Sequence, residues 1–149
     1  MLIAIADDDA QWTETVQRWA ASTAVDASDL ETRVFGTPEA LIQALETEDP
    51  NVLGRTVVFL DLDFSAIGAS GYDVLRQLKS HANTSVRSVP VVIYSRSDSA
   101  GEIEKCYSAN ANSYVHKGAG RRQKQIFVET VKFWMHTAKL PTGTQPGAA

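Results

Sequence analysis

The feature that most constrains the fold is the alternation of short apolar runs with segments of helical period. Five short runs are predicted to be β-strands: residues 2–6, 30–35, 56–60, 89–94 and 113–116. After each of them, apolar residues recur at the three- and four-residue spacing of an α-helix. Continuous apolar strands joined by helices are typical of a parallel sheet covered on both faces. With right-handed crossovers, the pattern predicts an α/β fold, a doubly wound five-stranded parallel sheet flanked by five helices.

Two of the predicted helices begin at recognisable caps. Asp9 precedes a helix whose aromatic and apolar residues share one face, and its carboxylate can accept from a free backbone N–H. Thr37 is followed by Pro38, which places a capping hydroxyl before a proline at the first helical position. This second helix is expected to end near residues 49–50. The last helix is expected over residues 121–138.

The composition limits the classes of function. The chain has 149 residues, 44% hydrophobic and 21% charged, which predicts one folded domain over residues 1–140. Residues 141–149 are rich in Pro and Gly and are expected to form a flexible C-terminal tail. No apolar run approaches the roughly 20 residues of a membrane span, and no signal-peptide pattern is present. The single cysteine, Cys106, is expected to be a packed core thiol. A net charge of −4 without a basic stripe argues against nucleic-acid binding, and we expect a cytoplasmic protein without membrane contact.

Charged and hydroxyl side chains stand where four of the predicted strands end. The first strand runs into Asp7 and Asp8, the third into Asp61, the fourth into Ser95 and the fifth into Lys117. In a doubly wound sheet the ligand-binding cleft lies beyond the carboxyl ends of the strands, so these side chains should converge there. Because a buried carboxylate without a partner is costly, Asp61 should be paired at the end of its apolar run.

This set of residues resembles the receiver domain of two-component response regulators over residues 1–138. The matching features are the acidic pair after the first strand, Asp61 after the third, Ser95 after the fourth and Lys117 after the fifth. Tyr114 stands where the family has an aromatic switch residue. The resemblance implies a flavodoxin-like receiver fold in which Asp61 is the phosphoacceptor. It further implies that Lys117 and Ser95 contact the phosphoryl group, and that Ser95 and Tyr114 form the switch.

The resemblance also implies a Mg²⁺ site. Attack by an anionic carboxylate on a phosphoryl group needs a cation to offset the repulsion. By resemblance, Asp8 and Asp61 bind the ion directly, the backbone carbonyl of Asp63 supplies another ligand, and Asp7 acts through a water. The protein is then a phosphoacceptor, with the capacity to dephosphorylate itself, and not a conventional enzyme.

Three positions depart from the family pattern. The loop of residues 62–70 is longer than usual and has Ser65 where many members have Pro. Gly118 stands where a Pro normally supports a cis bond, so the geometry of the Lys117–Gly118 peptide is left open. Arg96 is bulkier than the usual small residue. It either narrows access for the phosphodonor, contacts the phosphoryl group or faces solvent.

Two other interpretations of the same residues are possible. The segment DLDFS resembles the opening motif of haloacid-dehalogenase phosphatases, in which Asp61 would be the nucleophile and Asp63 the general acid. The acidic pair upstream of Asp61 argues against that class, because those enzymes have their further carboxylates downstream. A degenerate receiver that serves only as a protein-binding module is the second alternative. The complete set of receiver residues argues against it.

The C-terminal end of the chain suggests the partners. Phe133, Trp134 and Met135 resemble the end of the single-domain regulators paired with phytochrome-type sensor histidine kinases. That resemblance implies a phytochrome-type kinase as partner, an unidentified downstream protein and a homodimer. Phe127, Val131 and Trp134 are the expected dimer-interface residues. Since only about ten residues follow the last predicted helix, no DNA-binding output domain is expected, and the signal should pass through protein contacts.

Overall fold

The fold is built on a five-stranded parallel sheet. The structure is a computed structural model that describes residues 1–22, 29–64 and 68–141. The strands are β1 (Leu2–Ala6), β2 (Glu31–Phe35), β3 (Thr56–Leu60), β4 (Asp63–Phe64), β5 (Ala69–Ser70), β6 (Val91–Ser95) and β7 (Ser113–His116). The main sheet has the order β2-β1-β3-β6-β7, while β4 and β5 form a separate antiparallel pair. The predicted five-stranded parallel sheet is confirmed.

Helices cover both faces of this sheet. They are α1 (Ala10–Ala20), α2 (Pro38–Thr47), α3 (Pro50–Leu53), α4 (Gly71–Lys79), α5 (Thr84–Arg87), α6 (Ala100–Ser108) and α7 (Arg122–Lys132), followed by a π-helical turn at Phe133–Thr137. The alternation of strands and helices is the one that the sequence predicts. No helix among the described residues is both long enough and apolar enough to cross a membrane.

Each face of the sheet has its own apolar core. On one face, side chains such as Ala4, Val58 and Ile93 pack against α2, α4 and α6. This core also buries Cys106, as predicted. On the other face, Ile5 and other strand residues pack against α1 and α7. Complete burial of one such aliphatic side chain contributes about 1.5–3 kcal/mol, so the two cores hold the strand ends in fixed positions.

The register of the parallel strands brings their carboxyl ends to one level. Ala6 at the end of β1 is opposite Leu60 at the end of β3, and Ser95 at the end of β6 is opposite His116 at the end of β7. The residues that directly follow these strands therefore lie side by side along one edge of the sheet.

The predicted caps are present. The carboxylate of Asp9 accepts from the backbone N–H of Trp12 at 3.1 Å, and the hydroxyl of Thr37 accepts from that of Ala40 at 3.2 Å. Each side chain satisfies one of the donors that the first helical turn leaves free. The sequence therefore sets where α1 and α2 begin.

Several local elements differ from the prediction. Beyond the end of α2, Pro50 starts the separate single turn α3, which Asp49 caps at 2.8 Å. The single turn α5 and the pair β4–β5 were also not predicted, since elements this short have no measurable period. The last α-helix ends at Lys132, earlier than expected, because the π-helical turn replaces its final residues. The predicted flexible tail falls outside the described residues except for residue 141, and Ser65 lies outside them as well.

Gly71 fixes the backbone that follows β3. It begins α4, and its N–H donates to the carbonyl of Leu62 at 2.9 Å. A Cβ at this position would overlap the carbonyl oxygen of Asp61 and lie 2.7 Å from the Cα of Leu62. Only glycine allows α4 to approach the Asp61 main chain this closely.

Replacement of Gly71 by Ala should therefore destabilise the fold. We expect a loss of about 1–3 kcal/mol in the free energy of unfolding, the usual cost of overpacking, measured by chemical denaturation. Gly36→Ala is the matched control, because a Cβ there meets no atom within 4 Å. It should change stability by less than about 0.5 kcal/mol. Equal stability of the two variants would contradict the close approach.

Candidate functional site

Asp61 lies at the buried centre of the sheet edge where β1, β3, β6 and β7 end. We call this edge the strand-end edge. It directly follows β3, and its N–H donates to the carbonyl of Ala6 on the neighbouring β1 at 3.0 Å. Only 9% of the residue is exposed to solvent. β3 is the middle strand of the sheet, so Asp61 has a neighbouring strand on both sides. This central position explains why its carboxylate is largely withdrawn from water.

A buried lysine lies between two carboxylates at this edge. The ammonium of Lys117 is 2.8 Å from Oδ2 of Asp7 and 3.8 Å from Oδ2 of Asp61. Lys117 is 2% exposed and lies 110 positions from Asp7 in the chain. Its own backbone N–H donates to the carbonyl of Ser95 at 2.7 Å, which fixes the end of β7 beside the end of β6. Asp61, which the sequence predicts to be paired, therefore has a positively charged group 3.8 Å away.

Trp12 contributes to the site in a way that the sequence interpretation missed. The sequence suggested only a core aromatic on α1, and Trp12 is indeed buried. Its ring also lies beneath the Lys117 ammonium, 4.8 Å from nitrogen to ring centroid. A cation over an indole face is attracted by the ring quadrupole. The available signal was the position of Trp12 in the first turn of α1, directly after the acidic residues, which places it near the same edge.

The pKa of Asp61 is raised to about 6. Burial is the largest cause, because it disfavours the charged form, and the negative charge of Asp7 acts in the same direction. The ammonium of Lys117 and the backbone N–H of Asp63 oppose the rise. One ammonium shared between two carboxylates therefore does not fully offset the cost of burying both.

Three carboxylates at this edge can hold a metal ion. Oxygen atoms of Asp7, Asp8 and Asp61 lie within 4.8 Å of one another. A donor set made only of carboxylate oxygens suits hard cations such as Mg²⁺. Both oxygens of Asp7 already accept hydrogen bonds, one from the N–H of Asp9 at 2.9 Å and the other from Lys117. An ion at this edge would therefore meet Asp7 through oxygens that are already engaged.

The carboxylates open into a solvent-connected cleft of about 760 Å³. The remaining sequence-predicted residues of the site, Asp63, Ser95 and Lys117, line the same cleft. Asp63 is exposed and belongs to β4, so the short antiparallel pair forms one wall. Glu102 in the first turn of α6 also lines the cleft and was not singled out from the sequence.

Ser95 and Tyr114 are linked through the residue between them in space, Ser97. The hydroxyl of Ser95 accepts from the N–H of Ser97 at 3.1 Å. The hydroxyl of Tyr114 donates to the carbonyl of Ser97 at 2.8 Å. The Tyr114 ring is half-buried and packs against the core beneath α6. The two residues predicted to form a switch therefore contact one and the same segment after β6.

Arg96 and Gly118, left open by the sequence, have defined positions. The Arg96 guanidinium is exposed and lies 3.3 Å from the carboxylate of Asp9 at the mouth of the cleft. The carbonyl of Arg96 is 2.8 Å from Nε2 of His116, whose Nδ1 is 3.3 Å from the N–H of Gly118. No peptide bond among the described residues is cis, and the Lys117–Gly118 bond is trans, with Gly118 at a φ of +74°.

The expected dimer-interface residues do not share one surface. Phe127 and Val131 are 1% and 0% exposed and belong to the core between α7 and the sheet. They have no surface left for a second copy, so their assignment to the interface is corrected. Their helical spacing was the inward-facing stripe of α7. Trp134 is half-buried against the same core, whereas Phe133 beside it is 49% exposed.

Comparison with known families places the chain. The response regulator receiver domain family matches it over residues 3–128. The chain belongs to this family. A receiver domain is a module of two-component signalling and not a conventional enzyme. Membership in this family argues against the haloacid-dehalogenase alternative.

Solved structures with the same fold include regulators from light signalling. The phosphorylated cyanobacterial phytochrome response regulator RcpA is 24% identical, with a TM-score of 0.78 and coverage of 94% of this chain and 97% of that one. Response regulator RPA3017, in red light signalling of R. palustris, is 22% identical, with a TM-score of 0.74 and coverage of 95% and 99%. The Mn²⁺-bound response regulator Rcp1 is 20% identical, with a TM-score of 0.76 and coverage of 94% and 98%.

One curated relative also matches this receiver. It is a probable methanogenesis regulatory protein, FilR2, of Methanothrix harundinacea (strain 6Ac), 30% identical over 86 residues. The match covers 57% of this chain, and the chain spans only 53% of the length of that relative.

The raised pKa of Asp61 predicts that Asp61→Asn stabilises the metal-free protein at neutral pH. An acid whose pKa is about 6 when folded, against 3.8 as its ordinary value, keeps its proton longer in the folded state. Wild-type stability should therefore fall as the pH rises from about 4 to about 6 and stay lower above that. The Asn variant lacks this loss, so it should gain on the order of 2–3 kcal/mol at pH 7.5 and nothing near pH 4.

Chemical denaturation in a chelator, repeated across pH 4 to 8, measures this gain. Asp73→Asn in the exposed first turn of α4 is the control. It loses a favourable interaction with the helix N-terminus, so it should lower stability by no more than about 1 kcal/mol and should not raise it at any pH. An Asp61→Asn variant that is less stable than the wild type at pH 7.5 would show that Asp61 is favourably paired instead.

Proposed function

We propose that this protein is a phosphoacceptor response regulator that takes a phosphoryl group onto Asp61 from a phosphohistidine of a sensor kinase. The observation that carries the proposal is the cluster at the strand-end edge. Three carboxylates lie within 4.8 Å of one another, with a buried ammonium in reach of two of them. The cluster opens into a cleft large enough for a phosphoimidazole side chain.

The transfer is a displacement at phosphorus. An oxygen of ionised Asp61 attacks, the bond between phosphorus and the imidazole nitrogen of the donor breaks, and that nitrogen keeps the electron pair. Lys117, already beside Asp61, balances negative charge on the phosphoryl oxygens as a compact point charge. Ser95 lines the same cleft and can donate its hydroxyl to one of those oxygens.

The acidic residues provide the place for a divalent cation. Asp8 and Asp61 would hold Mg²⁺ directly, with the backbone carbonyl of Asp63 as a further ligand and Asp7 acting through a water. When bound, Mg²⁺ supplies positive charge that offsets the repulsion between the Asp61 carboxylate and the incoming phosphoryl oxygens. The two hydrogen bonds that Asp7 already accepts support its indirect role.

The cost of the site argues against a receiver that serves only as a binding platform. Burial of charged groups is tolerated in proteins when they are paired, and it seldom adds stability. Here Asp7, Asp61 and Lys117 are all buried, and the pKa of Asp61 is raised by that burial. A surface-only binding role would not need this arrangement, whereas a chemical role for Asp61 does.

Phosphorylation would act through the segment that follows β6. A phosphoryl group brings about −1.5 to −2 charge and three acceptor oxygens. If Ser95 turns its hydroxyl toward them, it gives up the bond that it accepts from Ser97, and Ser97 also anchors Tyr114. We propose that this shared anchor shifts the population of Tyr114 positions, and with it the surface of α6 and β7.

The family and its structural neighbours support a proposal for the partners. A sensor histidine kinase of phytochrome type is favoured by the fold similarity to RcpA and to the R. palustris regulator. We propose that the receiver domain comprises residues 1–140 and that the protein acts in the cytoplasm. We also propose that it signals by contact with an unidentified downstream protein. A homodimer through α6, β7 and the residues after 130 is favoured by the exposed apolar side chains of Tyr107 and Phe133.

Phosphorylation should depend on Asp61. With a phytochrome-type kinase, or a small phosphodonor, the wild type should acquire an acid-labile acyl phosphate, measured by mass spectrometry and labelling. Asp61→Asn should fall to background because an amide oxygen is a poor nucleophile, while its circular dichroism stays unchanged. Asp73→Asn, the exposed control, should be labelled like the wild type. Equal labelling of the Asp61→Asn variant and the wild type would reject Asp61 as acceptor.

The same assay tests the metal. Chelation should stop labelling of the wild type, and added Mg²⁺ should restore it. Asp8→Ala should weaken Mg²⁺ binding, followed by titration, by at least the roughly 10–100-fold that loss of an outer-shell partner costs. Unchanged affinity would remove Asp8 from the ligand set.

The dimer has its own test. Sedimentation of the wild type at micromolar concentration should show a dimer, and Phe133→Ser should shift it to monomer without loss of helicity. Phe133 is the better probe because Trp134→Ala also removes contacts to the core. Lys124→Ser, an exposed change on α7, is the control and should stay dimeric. A monomeric wild type contradicts the proposal outright.

A further inference from the structure

The most unusual polar group outside the cleft is the hydroxyl of Tyr94. Tyr94 is the fourth residue of β6, is 3% exposed and belongs to the core between the sheet, α1 and α7. Among the described residues, none offers its buried oxygen a hydrogen-bond partner. A buried hydroxyl without a partner is destabilising, so native structures usually supply one from protein or from ordered water.

The ring of Tyr94 is held by other aromatic rings. It stacks on Phe59 with 5.6 Å between centroids and on Trp12 with 6.0 Å, and it meets Phe127 edge-on at 6.3 Å. These contacts leave the ring little freedom to turn its hydroxyl elsewhere. Because Leu60 pairs with Ile93 in the register, the next residues along the two strands, Asp61 and Tyr94, are direct neighbours.

A small cavity lies beside Tyr94. Tyr94 lines it together with Asp7, Asp61 and Trp12, and the rest of its wall is apolar. It offers about 10 Å³ to the centre of a water molecule, which is close to the lower limit for one buried water. The cavity and the open cleft share only Asp7 and Asp61 among their lining residues. Asp7 and Asp61 therefore lie between the cleft and the cavity.

The hydrogen-bonding groups of the residues that line the cavity are suited to a water molecule. Burial raises the pKa of the Tyr94 hydroxyl, so the group keeps its proton and can donate. Ionised carboxylates only accept hydrogen bonds. A water in the cavity can accept from Tyr94 and donate one hydrogen to each carboxylate. That makes three hydrogen bonds, the usual number for a buried water.

We propose that a single buried water joins the hydroxyl of Tyr94 to the carboxylates of Asp7 and Asp61. Tyr94 is then a positioning residue that acts on Asp7 and Asp61 from the side opposite the cleft. The water offers two donors to two like charges and steadies both before a metal or phosphodonor arrives. Only this last consequence rests on the proposed function. The water site itself does not.

A double-mutant cycle tests the link. If the hydroxyl is bridged, Tyr94→Phe should lower the unfolding midpoint at pH 7.5 in metal-free buffer. The loss should be smaller in an Asp61→Asn background, because a neutral amide gains less from the donated hydrogen than a carboxylate does. Tyr107→Phe, whose hydroxyl accepts from the N–H of Tyr114 far from the cavity, should cost the same in both backgrounds.

Two results of this cycle would overturn the proposal. A Tyr94→Phe protein as stable as the wild type, or more stable, would show that the hydroxyl has no partner to lose. An equal loss in both backgrounds would show that the hydroxyl is not linked to Asp61, which the proposed bridge requires.

A crystal structure at high resolution supplies the second measurement. It should show one ordered water within hydrogen-bond distance of Tyr94 Oη and of both carboxylates, and Tyr94→Phe should lose or displace it. A cavity without such a water overturns the proposal. Phosphorylation rates distinguish failure of the proposed phosphoacceptor function from failure of the proposed water bridge. A wild type that is never phosphorylated rejects the phosphoacceptor role and leaves the water and the cycle intact, whereas normal phosphorylation of Tyr94→Phe removes the catalytic consequence.

Discussion

The arrangement of charged side chains at the strand-end edge depends on the contacts of the Lys117 ammonium. It contacts Asp7 directly, lies within 3.8 Å of Asp61 and rests on the ring of Trp12. When Asp7, Asp8 and Asp61 are all ionised, they carry three negative charges, and Lys117 neutralises one of them. The remaining charge of −2 is that which one divalent cation would neutralise. Burial is the main cause of the raised pKa of Asp61, and the negative charge of Asp7 raises it further.

The sheet supplies the geometry that this charge arrangement requires. Because parallel strands end at one level, side chains far apart in sequence lie on adjacent strands, and no flexible loop has to hold them. The backbone beyond β3 is held in turn by Gly71, whose missing side chain lets α4 approach the Asp61 carbonyl. Packing of α1 and α7 on one face places Trp12 and Tyr94 beneath the carboxylates. The core and the site are therefore one continuous structure.

The sequence predicts the parts of this structure whose signal is local. The bounds of β1, β3 and β7 agree with the prediction because their residue pattern changes abruptly at both ends. The caps at Asp9 and Thr37 agree as well, since a cap needs only the next few residues. Features that depend on tertiary packing were missed or misassigned. The pair β4–β5 and the π-helical turn are too short for a period to show. Phe127 and Val131 were assigned to an interface because sequence spacing gives a stripe but not the direction that it faces. The positions of Trp12 beneath Lys117 and of Tyr94 beside Asp61 come from strand order, which no single segment contains.

The separation of 110 positions between Asp7 and Lys117 has a consequence for how the protein is made. A growing chain exposes its acidic residues long before their cation has been synthesised. Contacts this distant in sequence form late in folding, because the entropy cost of closing a large loop comes before the contact is made. The acidic pair must therefore stay hydrated through most of synthesis, since its burial without the lysine would be costly. Withdrawal of these charges from water thus marks the completion of folding, and a shortened product that lacks β7 and Lys117 would present the aspartates without their cation.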